Sequence, residues 1–178
     1  MKSNNIFIKV ATAEDASGWA NMLLKLDGEV EYTTFEAGER SSEINKYKDK
    51  IIEVEKDPKS IIFLAIDNQL KDNIVVGYLC IEAYKNKRKC HVATVGIGIL
   101  KSHSMQGIAN KFSEKFIKHV TESGLKRIEA HIAESNYKSI NLAKRFGFTI
   151  EGIKSKAIRI NSIYQDEYLM ALEIDSYE

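Results

Sequence analysis

The sequence predicts an α+β fold, a mixed and mostly antiparallel sheet with helices on its faces. Strand-like runs open and close the chain, and several links run directly from strand to strand, which argues against a doubly wound parallel sheet. The helix-like runs carry their apolar residues on one face, so each needs a sheet surface to cover. The predicted order is βααβββαβαββ.

Taken in order, IFIKV (6–10) alternates and is β-branched, the pattern of a strand. Thr12 offers a helix N-cap with Asp15 three residues on, a variant of the capping box. The helix that follows sets Ala16, Trp19, Leu23 and Leu26 on one face. DGEVEYTTFEAGERSS (27–42) is a long irregular link rich in carboxylates. A second helix starts near Ser42 and aligns Ile44, Tyr47, Ile51 and Val54, and Pro58 stops it. SIIFLAI (60–66) is a buried strand and NQLKDN (68–73) a turn. IVVGYLCIEAY (74–84) and HVATVGIGIL (91–100) form a long hairpin around the basic turn KNKRK (85–89).

A helix whose first turn is Met105 to Ala109 then carries Ile108, Phe112, Phe116 and Val120 at four-residue spacing and closes at Gly124. RIEAHI (127–132) alternates as a strand. Ser135 or Asn136 caps another helix, with Gly147 past its last turn. FTIEGIKSKAIRI and DEYLMAL give two final strands around a turn near Asn161. No repeat, low-complexity tract or linker divides the chain, so residues 1–178 read as one domain.

Composition narrows the function classes. Lys and Arg number 26 against 25 Asp and Glu, a net charge of +1. That balance argues against a large nucleic-acid footprint, which needs clustered excess basic charge. No run approaches the ~18 apolar residues that cross a bilayer, and the N-terminus shows no signal peptide. Cys80 and Cys90 lack metal or redox spacing and fall in strand-like runs, where a free cysteine is a small buried hydrophobe. The expectation is a cytoplasmic protein with neither a nucleic-acid nor a membrane partner. The four histidines are scattered, and Glu129 with His131 on one strand face makes no metal site.

The middle of the chain holds the signal. Gly96 and Gly98 interrupt an apolar strand, which often marks a bulge or a place where a ligand nears the backbone. That strand leads through SMQGIANK (104–111) into a helix. The first N–H groups of a helix lack chain partners and carry partial positive charge, and the small residues Gly107 and Ala109 let an anion approach them. A plain helix start with small residues chosen for packing explains the turn equally well.

Context breaks the tie. HVATVGIGILKSHSMQGIANKF, a helix, and RIEAHIAESNYKSINLAKRFGF together resemble the acetyl-coenzyme A core of the GNAT superfamily of N-acetyltransferases. The family's turn runs Gln/Arg-x-x-Gly-x-Gly/Ala, and Ser104, Gly107 and Ala109 occupy its three fixed positions, matching two. Asn136, Ser139, Leu142, Gly147 and Phe148 stand in the places of the family's second segment. IKVATAEDA and DEYLMALEI look like its first and last strands, so the likeness spans nearly the whole chain.

The resemblance implies acetyl-CoA as co-substrate and no metal. The pantetheine arm lies between two splayed parallel strands, held by backbone around Ile99, Leu100 and Lys101. The N–H groups of Met105, Gln106, Gly107, Ile108, Ala109 and Asn110 cradle the pyrophosphate, and Asn136, with Ser139 and Ala143 on the same helix, lies on the arm's far side. It also implies acetyl transfer to a primary amine of a small molecule or peptide by direct attack, with the oxyanion held by backbone N–H near Ile99 to Lys101. Relatives are often homodimers. The alternative is a catalytically inactive acyl-CoA-binding or interaction module of the same fold.

Three family positions differ. Ser104 replaces Gln or Arg, and an arginine–phosphate hydrogen bond is worth roughly 1.5–3 kcal/mol. Thr94 stands where many members carry a glutamate base, and Ala143 where most carry a tyrosine acid. Losing the acid is survivable, because a thiol of pKa near ~8.5 leaves readily at neutral pH. Losing the base matters more, since an amine of pKa near ~10.4 is almost wholly protonated there. Glu29 and Glu31 in the acidic link are the replacement candidates, with Glu36 and Glu39 beyond them, and a solvated acidic loop is the competing reading. Tyr164 and Tyr168 read as packing or surface tyrosines rather than a substitute acid.

Overall fold

The computed structural model describes residues 5–69 and 74–174. The turn expected at 68–73 therefore lies partly outside the described residues. The elements are β1 (Ile6–Val10), α1 (Ala16–Glu29), α2 (Ile44–Glu55), β2 (Ile61–Asp67), β3 (Ile74–Ala83), β4 (Val92–Ile99), α3 (Ile108–Glu122), β5 (Arg127–Ala133), α4 (Tyr137–Arg145), β6 (Thr149–Ile160) and β7 (Ile163–Glu173). This is the predicted order. The strands form one sheet in the order β1-β2-β3-β4-β5-β7-β6, antiparallel throughout except for β4 with β5.

The helices divide between the two faces, and two glycines mark which is which. A Cβ added at Gly98 of β4 would meet Leu26 of α1, whereas one added at Gly77 of β3 would meet Phe112 of α3. Gly77 pairs with Ile99, Gly98's neighbour, so the two positions face opposite ways. Below the sheet, Phe112 and Phe116 of α3 are fully buried, and Phe116 packs its ring 5.5 Å from Phe146 and 6.1 Å from Phe148 at the end of α4. Burying each such side chain stabilises by roughly 1.5–3 kcal/mol. Above it, Trp19 of α1 sets its ring edge-on to Tyr47 of α2 at 5.8 Å.

The helix ends follow the turn chemistry the sequence carries. Asp15 reaches back to Thr12, accepting from its N–H at 2.8 Å and its hydroxyl at 2.9 Å. Asn136 caps α4 by accepting from Ser139 N–H at 3.2 Å. Gly147, at φ +94°, closes it, with Gly147 N–H donating to Lys144 and Phe148 N–H to Ala143. Asn161 and Ser162 both adopt positive φ, making a two-residue turn between β6 and β7.

Four expectations are corrected. The acidic link begins at Val30, because α1 runs on to Glu29 and takes Asp27 with it into a buried position. Helix α2 starts at Ile44 rather than near Ser42, since Ser41 instead receives the Glu43 N–H on its Oγ and the Tyr47 hydroxyl on its carbonyl. Ile44, the first residue of α2, is exposed rather than aligned with the buried Tyr47, Ile51 and Val54. Helix α3 starts at Ile108 rather than Met105, because Met105 and Gly107 both hold positive φ, which a right-handed helix excludes. Cys90 lies in the turn before β4 and is partly exposed, while Cys80 is buried in β3 as expected.

Candidate active site

The site starts where β4 and β5 part. Their parallel pairing covers only Val92–Arg127, Ala93–Ile128 and Thr94–Glu129, although β4 continues to Ile99 and β5 to Ala133. Leu100 N–H donates to Val76 carbonyl and Tyr84 N–H to Val92 carbonyl, so even-numbered β4 residues bond to β3. The peptide groups of Ile97 and Ile99 therefore point the other way, into the gap, and have no partner on β5. By the same alternation His131 presents its peptide group from the β5 side, opposite β7. The result is a wedge lined by main-chain donors and acceptors, the arrangement that holds an extended amide-bearing chain.

The turn sits at the open end of the wedge. After a 3-10 turn at Lys101–His103, Met105 takes φ +62° with its side chain fully exposed, and Gly107 takes φ +78° as the N-cap of α3. Nothing lies within 4 Å of where a Gly107 Cβ would be, so glycine is required there by its backbone angle and the approach to the turn is open. Helix geometry leaves the Ile108 and Ala109 N–H groups without helical partners. Asn110 N–H donates to Gly107 carbonyl at 3.1 Å. Arg145 of α4 donates to Asn110 Oδ1 at 2.7 Å, tying the two helices together beside the turn. Ser104 Oγ donates to Lys101 carbonyl at 2.6 Å, and Lys111, the first basic residue of α3, sends its ammonium to Ile6 carbonyl on β1.

A cavity of about 660 Å³ opens on the α1–α2 face at the point where the strands part, in the size range of small-molecule sites. Thr94, Val95 and Gly96 of β4 form its floor with Tyr78, Cys80 and Glu82 of β3. Trp19 and Leu23 of α1, Tyr47 and Lys50 of α2, and Phe35, Glu39 and Arg40 of the link form its walls. Arg40 is pinned there. Its Nη2 donates to Asp27 Oδ1 at 3.0 Å and its guanidinium lies 4.4 Å over the Phe35 ring. The hydrogen bond to Asp27 outweighs burial and holds the Arg40 guanidinium above its ordinary pKa. Trp19 Nε1 is buried in the wall with no hydrogen-bond partner among the described residues.

Burial pushes the Tyr78 phenol up to about 12 and lifts the Cys80 thiol further, the neighbouring Glu82 charge adding to the effect on Cys80. Cys80 is thus protonated at neutral pH and is no thiolate nucleophile. Lys50 pairs with Glu82. Burial pulls the Lys50 ammonium down, but the Glu82 hydrogen bond and charge outweigh it, so its pKa is raised.

The model of the acetyltransferase (GNAT) domain matches residues 8–169. The chain belongs to this GNAT acetyltransferase family. A GNAT-family acetyltransferase from Streptococcus pneumoniae superposes with a TM-score of 0.85 at 22% identity, covering 96% of this chain and 99% of that one. An acetyltransferase from Salmonella typhimurium solved with its cofactor acetyl-CoA gives 0.83 at 15% identity, covering 98% and 96%. The L-amino acid N-acetyltransferase AaaT of Escherichia coli is 33% identical over 102 residues, 56% of this chain and 62% of that protein. The ribosomal-protein-serine acetyltransferase of the same organism is 31% identical over 107 residues, 60% of this chain and 59% of that protein. The matched stretch covers less than two thirds of either relative.

Within this GNAT frame the expected site residues fall in three groups. Ile99 to Asn110 run from the end of β4 through the 3-10 turn to the first turn of α3, and not every N–H there is open: that of Leu100 goes to β3, and that of Lys101 donates to Glu29 Oε2 at 2.7 Å. Asn136 and Ser139 face one another across the α4 cap, and Ala143 packs against the core on the same helix. Glu29 and Glu31 are not among the cavity's lining residues. Glu29 is held at Lys101 N–H with Lys25 3.9 Å away, and Glu31 accepts from Asn161 at 3.3 Å beside the last hairpin turn. Tyr164 is exposed.

Glu82, Lys50 and Arg40 line the cavity, with Asp27 held behind Arg40, and sequence reasoning passed over them. The signal for Glu82 was available, because two strands of a hairpin read in register place it directly opposite Thr94. Nothing in local spacing announces that Arg40 meets Asp27 across the link. The described residues hold no group of side chains that could bind a metal and no helix long and apolar enough to cross a membrane.

Proposed function

We propose that this chain transfers an acetyl group from acetyl-CoA to a primary amine of a small molecule or peptide, by direct attack while both are bound. The parting of β4 and β5 carries the reading. It sets unpaired peptide groups of Ile97, Ile99 and His131 between an anion-ready turn on one side and a small-molecule cavity on the other. The turn's N–H groups at Ile108 and Ala109 suit a pyrophosphate, and the wedge suits a pantetheine arm. Acetyl-CoA supplies the thioester carbonyl.

The chain's part is mainly alignment. Holding two reactants in line is worth ~7–11 kcal/mol, so neither Thr94 nor Ala143 rules out turnover. The N–H of Ile99 faces the wedge and is the available donor for a developing oxyanion. The acceptor lies in the cavity above Thr94. AaaT and the ribosomal-protein-serine acetyltransferase, named for an amino acid and a protein as acceptors, frame the substrate range.

The test is thiol release from acetyl-CoA over a panel of polyamines, amino acids, amino sugars and short peptides, with mass spectrometry of the product. Thiol release dependent on an amine, with N-acetylated product, supports the reading. Acetyl-CoA binding with no release for any amine means an inactive acyl-CoA-binding module.

A further inference from the structure

The reaction proposed above leaves one proton without a destination, because Thr94 cannot accept it and Glu29 and Glu31 are held elsewhere. Resting on that reading, we propose that Glu82 of β3 is the general base, taking the amine's proton through one water in the cavity.

Glu82 and Thr94 are directly paired across β3 and β4, and by the strand's alternation they are a hydrogen-bonded pair. The side chains of such a pair stand on the same face with Cα atoms about 5.5 Å apart. A carboxylate on β3 at this position is therefore one strand spacing, about 4.8 Å, from where a glutamate on β4 would act, a gap that one water bridges. Both residues line the cavity at the point where the wedge begins, and the Glu82 side chain is 43% exposed.

Among the described residues the other carboxylates near Thr94 are engaged: Glu129, which pairs with Thr94 from β5, accepts from Arg127 Nε at 2.8 Å and does not line the cavity. Asp27 is buried and locked to Arg40, and Glu39 accepts from Glu36 N–H at 2.8 Å. Two neighbours hold Glu82 in place: Lys50 bonds Oε2, and the Cys80 thiol donates to Oε1 at 3.4 Å. Each oxygen keeps a lone pair for water. The titratable groups around it are Lys50, Lys46 and Tyr47 from α2, Arg40 and Glu39 from the link, and Cys80 and Tyr78 from β3.

In the step, the amine nitrogen forms a bond to the acetyl carbonyl carbon. The carbon–sulfur bond breaks, with its electron pair leaving on the CoA sulfur. The nitrogen's proton passes through the water to a Glu82 oxygen, which returns it to solvent.

The experiment compares the wild type, E82Q and the double variant E82Q/T94E by thiol release with the best amine between pH 7 and pH 10. Circular dichroism and acetyl-CoA titration serve as controls for folding and cofactor binding. E82Q is expected to lose about 10²-fold or more in kcat at pH 7, with the acetyl-CoA KM unchanged. The deficit should shrink as pH rises and hydroxide substitutes for the missing base. Restoring a carboxylate one strand over, in E82Q/T94E, should recover at least ~10-fold of the loss. An active wild type with E82Q within threefold of it at pH 7, or an E82Q deficit that neither varies with pH nor yields to T94E, overturns Glu82 alone. A wild type that releases no thiol with any amine overturns the transferase reading and Glu82 with it.

Discussion

At Gly98 the chain has no room for a side chain. An added Cβ would lie 2.5 Å from Leu26 Cδ2 and 2.7 Å from Tyr78 Cε1, so this glycine serves the packing of α1 and Tyr78 on the sheet. Neither it nor Gly96 marks a bulge, because the β3–β4 register is unbroken. Gly98→Ala is expected to destabilise by about 1–3 kcal/mol, a fall of several degrees in Tm. Gly96→Ala, whose Cβ would meet the Tyr78 hydroxyl at an ordinary 3.8 Å, should leave Tm nearly unchanged. Thermal denaturation of the two variants separates packing from ligand approach. Ser104 belongs to the same scale. Its hydroxyl donates to the Lys101 carbonyl, and Ser104→Arg adds a cation at the mouth of the turn. Acetyl-CoA should bind about tenfold or more tightly. Unchanged or weaker binding by calorimetry would contradict the phosphate role of the turn.

Among the elements, the link from Val30 to Glu43 is fixed to α1 through the Arg40–Asp27 pair. The Asp27 side chain is 1% exposed, so removing its partner leaves a buried charge. Arg40→Ala should therefore cost about 3–5 kcal/mol in urea denaturation, against less than ~0.5 for Glu43→Ala on the exposed start of α2. A second prediction concerns the start of α1. Burial pushes the Asp15 carboxyl up, but the bonds from Lys9 and Thr12 outweigh it and hold its pKa below the ordinary value. Such a group contributes stability that is present above its unfolded pKa and lost as pH falls through the native one. Asp15→Asn should lower stability by a constant amount from pH 7 to pH 5, and the difference from wild type should narrow below pH 4. A gap that stays constant down to pH 2 would show that the carboxylate charge is irrelevant there. Elements were the most legible scale in the sequence. The four-residue ladder Ile108, Phe112, Phe116 and Val120 is wholly buried, as its spacing predicts. Boundaries were less so, because Met105's positive φ and Ser41's local bonds depend on geometry that residue type alone does not encode.

For the whole molecule, one topological fact organises the rest: a single parallel pair, abandoned after three residues, in an otherwise antiparallel sheet. The order of strands and helices was readable from periodicity, and the resemblance around residues 91–148 located the wedge and the turn. The cavity wall was not readable. Asp27 and Arg40 meet only because α1 continues past the apparent start of the link, and Glu82 reaches the cavity only through its pairing with Thr94. Carboxylates close in sequence to the expected pocket, Glu29 and Glu31, instead bond Lys101 N–H and Asn161. The account's central claim is that the wedge between β4 and β5 binds an acyl-CoA. Calorimetric titration of acetyl-CoA into the purified protein, beside CoA and propionyl-CoA, tests it most directly. Saturable micromolar binding at one site per chain is the predicted result, and the absence of detectable binding at millimolar acetyl-CoA would contradict it.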